Sequence, residues 1–549
     1  LIMREMHNFD TLTFCNTLNI TKEEFITRIN EIKDRKKNPG YSRYTPQVFM
    51  SQLSGEDYGR FQEKQFRFSG TFVQQRVLRE YTVPHGAHAI GSIGEVNQKQ
   101  IESDSYYKKG DYKGQSGIEK TYEEQLRGEK GVEILLRDVH GRIKGRYQNG
   151  ERDILPKSGK NVTVGLDIEL QQYGEELMNY KLGSIVAIEP STGEILALVS
   201  SPSFDPSLLV GRKRSVNYSE LLKDPNKPLF DRPMMAMYPP GSTFKLVQAL
   251  VMQQEELINY NTTFPCHGGY FYGGGRKLGC HAHSSPLNLP QSIQNSCNAY
   301  YCFCLREMLD NNLAKYKTSS HAYDVWRGHV TSLGFGDKLG VDFPNEKSGL
   351  ILKSSRYDKI YGKNHWRSST IISISIGQGE VLATPIQTAN LAACIANKGY
   401  FYTPHIMKSI EGDSIDIKYR TKHYSTIESK YFDVVHEGML GAVMAGTARI
   451  GRIDSLEFCG KTGTAQNPHG KDHSIFIAFA PKDNPKIAIA VYVENAGFGA
   501  TWAVPIASLM IEKYLRRSIS PNRLYLEERI MNAKFYGDTT ENETESKPD

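Results

Sequence analysis

Ser242 and Lys245 are the pair whose residue types and spacing most directly suggest chemistry. They lie in residues 238–245, which read Tyr-Pro-Pro-Gly-Ser-Thr-Phe-Lys. The prolines and glycine predict a bend, and the run 242–257 predicts a helix that holds Ser242 at its start, where free backbone N–H groups favour developing negative charge. Lys245, one turn on, can act as the base for this serine if burial or a second cation lowers its pKa. The pair predicts an acylating serine, although a Ser-x-x-Lys tetrapeptide alone more often belongs to an ordinary amphipathic helix.

Two later motifs change the weight of that prediction. Ser296-Cys297-Asn298 leads into a predicted apolar helix over 299–309, and Lys461-Thr462-Gly463 lies in a predicted strand over 458–465. Taken separately, Ser296 could be a helix cap, and the lysine motif could be a strand that ends in a turn. In this order, however, the three motifs are the Ser-x-x-Lys, Ser-x-Asn and Lys-Thr-Gly set of the penicillin-recognising acyl-serine enzymes.

The chain resembles the class B penicillin-binding proteins over nearly its whole length. Besides the three motifs, the resemblance is carried by Gly117-Ile118-Glu119-Lys120-x-Tyr122-Glu123, Leu126-Arg127-Gly128, Ile376-Gly377-Gln378-Gly379, Phe479-Ala480-Pro481 and Asp483-Asn484-Pro485-Lys486. Within this class the chain is most similar to the elongation-type members, and a division-type paralogue is the alternative. A hydrolytic β-lactamase and a non-catalytic β-lactam sensor or scaffold are further alternatives.

This resemblance implies a peptidoglycan D,D-transpeptidase that acts in cell-wall elongation and is a target of β-lactams. Ser242 would attack the terminal D-Ala-D-Ala of a stem peptide, release D-Ala and hold the peptide as an ester. Lys245 would be the base, its pKa lowered by burial and by Lys461, while Ser296 relays a proton and Asn298 holds the substrate amide. The predicted substrate-binding residues are Thr462, Gly463 and Thr464, and the predicted oxyanion hole consists of the backbone N–H groups of Ser242 and Thr464.

A cysteine-rich segment beside the Ser-x-Asn motif suggests a metal site. Cys266, Cys280 and His283 lie on a glycine-rich stretch, and Cys297 lies within the motif itself. Three thiolates and an imidazole would form a closed tetrahedral zinc site, and the resemblance implies zinc near this position, although with a partly different ligand set. A Cys266–Cys280 disulfide and unbonded thiols remain alternatives. The predicted acyl transfer itself needs no cofactor.

Length and charge limit the other possibilities. The 549 residues are enough for two or more domains, and a net charge of +6 spread over mixed-sign segments gives no indication of nucleic-acid binding. No run approaches the roughly 18 to 20 apolar residues of a membrane helix. The resemblance implies a single N-terminal membrane anchor ahead of this chain, a site of action at the periplasmic face of the inner membrane, and a membrane glycosyltransferase of the SEDS family as a partner alongside other proteins of the elongation complex.

The predicted architecture is α+β with three regions. Residues 1–156 are polar and carry no evident catalytic set, so they are predicted to be a mixed pedestal domain for interactions, opened by a helix over 21–35 with Thr21 and Glu24 as its capping pair. Residues 157–520 are predicted to be the transpeptidase domain, with an antiparallel five-stranded sheet covered by helices and an all-helical subdomain. Residues 262–290 are expected to be loop-like and 311–367 to be a polar excursion, and the tail 521–549 is expected to be partly disordered.

Overall fold

The computed structural model describes residues 1–36, 38, 41–51, 53–74, 79–139 and 143–536. Within these residues no helix combines the length and the apolar character needed to cross a membrane. The acidic end of the predicted tail, from residue 537 onward, lies outside the described residues, whereas the start of that tail is helical and packs on the larger domain.

The N-terminal domain is built from short elements around a small core of phenylalanines. Its helices are α1 (Thr11–Thr17), α2 (Lys22–Lys33), α3 (Gly55–Lys64), α4 (Ala87–Ile90), α5 (Gln98–Ser103), α6 (Gly117–Thr121) and α7 (Glu123–Leu126), and its strands are β1 (Ile93–Glu95), β2 (Tyr112–Gly114), β3 (Leu135–Arg137) and β4 (Ile143–Arg146). Strands β1 and β2 form one antiparallel pair, and β3 and β4 form another. Thr21 and Glu24 cap α2 reciprocally, which confirms the predicted capping pair.

The C-terminal domain holds the remaining regular structure. Its helices are α8 (Ile168–Leu177), α9 (Arg214–Lys223), α10 (Arg232–Met235), α11 (Lys245–Gln254), α12 (Leu289–Gln294), α13 (Asn298–Arg306), α14 (Leu313–Tyr316), α15 (Ser319–Ser332), α16 (Ser354–Tyr361), α17 (Pro385–Ala396), α18 (Phe432–Met444), α19 (Ala503–Arg516) and α20 (Leu524–Asn532). Its strands are β5 (Val162–Val164), β6 (Gly183–Ile188), β7 (Ile195–Ser201), β8 (Gly269–Tyr272), β9 (Arg276–Gly279), β10 (Tyr400–Tyr402), β11 (Met407–Ile410), β12 (Lys422–Tyr424), β13 (Cys459–Ala465), β14 (His473–Ala480) and β15 (Ile487–Val493).

The predicted five-stranded antiparallel sheet is confirmed, with the strand order β13-β14-β15-β6-β7. Its inner strands are apolar on both faces because helices cover both faces. One face carries Ile477 and Ala490 and packs on the cluster that includes α11, α13 and α17, while the other carries Phe476 and Ile489 and packs on α8, α19 and α20. Strand β13 lies at one edge of the sheet, so one of its sides is left free to meet the turn that carries Ser242.

Several predicted elements were wrong in their extent. The region 262–290 is not simply a loop, since it contains the β8–β9 hairpin, and the region 311–367 contains the helices α14 to α16. The region 311–367 is polar in composition, yet it contains a buried aromatic cluster that includes Trp326, Tyr357 and Trp366. The helix predicted over 242–257 begins at Lys245 and ends at Gln254.

Candidate active site

Ser242 lies in a turn of 3₁₀ helix, Gly241–Phe244, that runs directly into α11. The turn is pressed against β13: a Cβ on Gly241 would lie 2.6 Å from the carbonyl oxygen of Thr464 and 3.1 Å from its amide nitrogen. Gly241 also has φ +56°, a left-handed conformation that favours glycine. Ser242 stays half-exposed while its neighbours are buried. The bend therefore places Ser242 directly after a glycine that contacts the backbone of Thr464.

Lys245 is the first residue of α11 and is completely buried. Its Nζ donates to the carbonyl oxygen of Ser296 (2.6 Å), to Ser296 Oγ (3.1 Å) and to Asn298 Oδ1 (2.5 Å). These three bonds use all the donors of an ammonium group. Burial lowers the pKa of Lys245 to about 8, against the opposing effect of the nearby Cys280, Cys297 and Cys302 sulfurs. The lysine is therefore held where it can exchange a proton near neutral pH.

Lys461 is a second fully buried cation on β13. Its Nζ donates to the carbonyl oxygen of Thr462 (3.1 Å). Burial and the charge of Lys245 both lower the pKa of Lys461 well below its usual value. For Lys245, by contrast, burial is the cause of the lowered pKa. The effect of Lys461 on the pKa of Lys245 stays a prediction.

The Ser-x-Asn segment is shaped by an unusual backbone and by a cysteine cap. Ser296 has φ +55°, and Cys297, not Ser296, caps α13 by accepting from the backbone N–H of Tyr300 at 3.4 Å. Ser296 is thereby turned toward Lys245. Asn298 contacts both sides of the segment, since its Oδ1 accepts from Lys245 while its Nδ2 donates to the carbonyl oxygen of Gly279 at 2.6 Å.

Gln378 and Thr447, which had no predicted role, form hydrogen bonds that hold β13 in place. Gln378 Nε2 donates to the carbonyl oxygen of Thr464 at 2.8 Å, and its Oε1 accepts from the N–H of Gln466 at 3.3 Å. The hydroxyls of Thr447 and Thr462 lie 2.8 Å apart. The Gly-Gln-Gly motif was the only sequence signal for Gln378.

The buried ion pair of Arg232 and Glu494 lies next to the segment that leads into the Ser242 turn. Glu494 Oε1 accepts from Arg232 Nε at 2.9 Å and from the Tyr238 hydroxyl at 2.7 Å. The Arg232 side chain is 4% exposed, and the Tyr238 ring stacks on Tyr492 with the centroids 5.0 Å apart. Tyr238 is four residues before Ser242, so this network fixes the start of the bend.

The four predicted metal ligands come together beside this site. The ligand atoms of Cys266, Cys280, His283 and Cys297 lie within 4.8 Å of one another. Cys280 Sγ lies 3.4 Å from His283 Nε2 and 3.8 Å from Cys297 Sγ. All eight cysteines of the sequence fall within the described residues and are free, so the alternative Cys266–Cys280 disulfide is not formed in the structure.

The chemistry of these four groups fits a zinc ion. His283 Nδ1 is 2.6 Å from the carbonyl oxygen of Ser284, to which it must donate, and this leaves Nε2 free to bind a metal. The contact with Cys297 and the hydrogen bond from the Asn298 N–H at 3.0 Å lower the pKa of Cys280 against the effect of its burial, which favours the thiolate form of this sulfur. Three sulfurs and one imidazole nitrogen are the donor set of closed structural zinc sites.

Comparison with known proteins agrees with this geometry. Residues 183–512 match the penicillin binding protein transpeptidase domain, and residues 2–164 match the penicillin-binding protein dimerisation domain. The chain belongs to the penicillin-binding proteins. Peptidoglycan D,D-transpeptidase MrdA of Acinetobacter baumannii is 32% identical over 519 residues, which covers 88% of this chain and 72% of that protein.

Two solved structures are similar to this penicillin-binding protein. A crystal structure of Pseudomonas aeruginosa PBP2 in complex with WCK 5153 has 30% identity and a TM-score of 0.67, covering 79% of this chain and 89% of that one. A structure of a peptidoglycan synthase complex, which concerns the coordination of polymerization and crosslinking, has 26% identity and a TM-score of 0.69. The match covers 91% of this chain and 86% of that one. These similarities confirm the predicted family, its elongation-type branch and the predicted class of enzyme, a peptidoglycan D,D-transpeptidase.

Proposed function

We propose that Ser242 is the acylating residue of this peptidoglycan D,D-transpeptidase and that Lys245 is its base. The observation that carries the proposal is the environment of Lys245, which is fully buried, has a pKa of about 8 and is bound to both Ser296 and Asn298. A neutral lysine has two donors and a lone pair, so loss of one proton frees the nitrogen to accept from a serine hydroxyl.

The first half of the reaction forms an ester. Ser242 Oγ attacks the carbonyl carbon between the two terminal D-Ala residues while its proton passes to Lys245 Nζ. The resulting oxyanion is received by the backbone N–H groups of Ser242 and Thr464, which is supported by the close approach of Gly241 to Thr464. As the C–N bond breaks, a proton passes through Ser296 to the leaving amine, and D-Ala departs.

The second half transfers the peptide. An amine of another stem peptide attacks the ester carbonyl carbon and gives a proton to the Lys245–Ser296 pair. The ester C–O bond then breaks, the pair returns the proton to Ser242 Oγ, and the new amide bond is the cross-link. Asn298 holds the substrate amide, and Lys461, Thr462, Gly463 and Thr464 bind the terminal carboxylate along β13. Their arrangement on an edge strand supports this role, because an extended peptide can add to a free strand edge.

The test is covalent labelling with a reporter penicillin followed by mass analysis. We expect a stable adduct on the tryptic peptide that contains Ser242, and Ser242→Ala should abolish it. Rapid turnover of the penicillin would instead indicate a β-lactamase. An adduct on any other serine would overturn the assignment.

We propose that Cys266, Cys280, His283 and Cys297 hold a structural zinc ion. When bound, the ion would act as a cross-link between the 266–283 segment and the Ser-x-Asn segment, and it would take no part in acyl transfer. Protein purified without chelator should contain one zinc per chain, and Cys266→Ser should lower both the zinc content and the melting temperature, whereas Cys394→Ser, a buried cysteine outside the cluster, should leave the zinc content unchanged. A zinc-free protein with a mass two hydrogens below the reduced form would instead indicate the disulfide.

We propose that the protein works at the periplasmic face of the inner membrane, with residues 1–156 as a pedestal that contacts a membrane glycosyltransferase of the SEDS family. The similar structure whose description couples polymerization to crosslinking supports a polymerising partner. Co-purification of the full chain with that glycosyltransferase tests the contact. Deletion of residues 1–156 should abolish co-purification but leave penicillin labelling of Ser242 intact, and retention of the partner by the deleted chain would contradict the pedestal role.

A further inference from the structure

The β8–β9 hairpin continues the wall of the site that Asn298 begins. Its last residue, Gly279, accepts the 2.6 Å hydrogen bond from Asn298 Nδ2, and Cys280 follows directly in the chain. The hairpin therefore extends away from the residue that is proposed to hold the substrate amide.

The hairpin has one buried face and one open face. Tyr270 and Leu278 are partners in the register and face inward, with the Tyr270 ring 4.9 Å from that of Phe303. Alternation along the strands places Phe271 and Lys277, also register partners, on the opposite face. Phe271 is 61% exposed, so its ring is available to a ligand.

Lys277 and Phe271 act together on this open face. The Lys277 ammonium lies 5.2 Å from the centre of the Phe271 ring. The stem of Lys277 crosses Gly269, where an added Cβ would meet its Cε at 2.8 Å. Gly279, the register partner of Gly269, is exposed and has open space beside its Cα, so neither glycine places a side chain between Lys277 and Asn298.

The positive charge of the chain segment around the hairpin favours an acidic ligand. No aspartate or glutamate occurs between Glu256 and Glu307, a stretch that includes the whole hairpin, the cysteine cluster and the Ser-x-Asn motif. The same stretch carries the cations Arg276, Lys277 and Arg306. An acidic ligand along this wall would meet attraction and no like charge from it.

We propose that the open face of the hairpin binds the acidic part of the stem peptide whose D-Ala-D-Ala end reaches Ser242. Lys277 pairs with a peptide carboxylate, and Phe271 packs against the adjacent methylene groups. Lys277 is two positions before Gly279, or about 7 Å along the strand, and an extended peptide covers the same distance in about two residues. The recognised carboxylate therefore lies two to three residues before the bond that is cleaved. This inference rests on the proposed function, because it takes the substrate of that function as its ligand.

The test measures the binding of two peptides by NMR titration. Both end in D-Ala-D-Ala, but one has free internal carboxylates and the other has them amidated. Lys277→Gln should weaken binding of the acidic peptide about 1.5- to 5-fold, the range for an exposed ion pair, and leave the amidated peptide unchanged. Lys277→Arg should restore the acidic peptide. Phe271→Ala should weaken both peptides.

Arg276→Gln is the matched control, since it removes the same charge one residue away. Arg276 lies over Tyr272 on the other face of the strand, with 5.1 Å between the guanidinium carbon and the ring centre, so its variant should bind both peptides as the wild type does. An equal loss for the two peptides in Lys277→Gln, or an equal effect of Arg276→Gln, would overturn the inference. Penicillin labelling of Ser242, measured in parallel, reports on the proposed function separately: failed labelling with charge-dependent peptide binding would refute that function and leave the surface assigned.

Discussion

At the scale of single residues, the site depends on two lysines that the fold removes from water. Lys245 and Lys461 are both fully buried, and the charge of one lowers the pKa of the other. Burial and the charge of Lys245 hold the pKa of Lys461 well below its usual value, so two neighbouring cations are disfavoured in the free protein. A bound substrate carboxylate would raise the pKa of Lys461 again. Substrate binding would thus restore the second cation next to Lys245 and favour loss of the proton from the base.

The acylation rate should therefore depend on pH through Lys245. A base must be neutral to accept the Ser242 proton, so the rate should rise with pH and level off above about 8. The measurement is the rate constant of acylation at saturating D-Ala-D-Ala peptide from pH 6 to 10. Lys461→Ala removes the neighbouring cation, so it should slow acylation at pH 7 and move the midpoint to higher pH, besides weakening the binding of the carboxylate. An unchanged midpoint in this variant would refute the coupling.

Arg232 should contribute strongly to stability. Its side chain is 4% exposed and that of its partner Glu494 is 19% exposed, so Arg232→Ala leaves a largely buried carboxylate without its cation. Such a loss costs about 3 kcal/mol, which a thermal-denaturation experiment would detect as a clear fall in the melting temperature. Lys157→Ala removes the same charge from a pair whose side chains are about 70% exposed, and it should change the melting temperature little. Equal shifts in the two variants would contradict the assigned role of the buried pair.

At the scale of elements, the contact between the Ser242 turn and β13 leaves no room for a side chain. Gly241→Ala would place a Cβ 2.6 Å from the carbonyl oxygen of Thr464, so the turn must move away from β13. A displacement of about 1 Å costs on the order of 100-fold in rate, and penicillin acylation of Ser242 should fall by about this factor. Gly412→Ala is the control, because Gly412 has a similar φ of +67° but open space around it. It should lose about 1 kcal/mol of stability and keep its acylation rate.

The sequence predicted best those elements whose signal lies in a short run of neighbouring residues. The apolar runs of β14 and β15 and the capping box of α2 are local signals, and the sheet that contains these strands and the capping pair of that helix were both predicted. Helix α15 was missed because its buried residues, such as Trp326, are interleaved with polar residues that form the outer face. The motifs placed Lys245 and Asn298 in one predicted site but did not predict the hydrogen bond between them. The contact between Gln378 and Thr464 joins residues 86 positions apart and was not predicted either.

At the scale of the whole molecule, polar contacts join the two domains at several points. The Tyr122 hydroxyl donates to Asp342 Oδ2 at 2.8 Å, and the same carboxylate accepts from the backbone N–H groups of Ile406 (2.8 Å) and Met407 (2.9 Å). Elsewhere, His88 Nε2 donates to the carbonyl oxygen of Pro228 at 2.8 Å, and burial lowers the pKa of His88 to about 4, so this contact persists with a neutral ring above that pH. The Gly-Ile-Glu-Lys-x-Tyr-Glu motif thus includes a residue that bridges the domains.

Tyr122→Phe should loosen the domains without unfolding either one. The Asp342 carboxylate keeps its hydrogen bonds from the backbone N–H groups of Ile406 and Met407. The variant therefore loses one hydrogen bond to a charged acceptor, which is worth about 1.5–3 kcal/mol. We expect faster hydrogen exchange in residues 113–128 and in 404–408, with penicillin acylation of Ser242 unchanged. Tyr106→Phe is the matched control, because the Tyr106 hydroxyl donates to the carbonyl oxygens of Arg127 and Gly128 within the N-terminal domain. This control should speed exchange near 104–130 and leave 404–408 as in the wild type. If Tyr122→Phe behaved in the same way, the bond to Asp342 would not couple the domains, and the bridge would have to lie in other contacts such as that of His88.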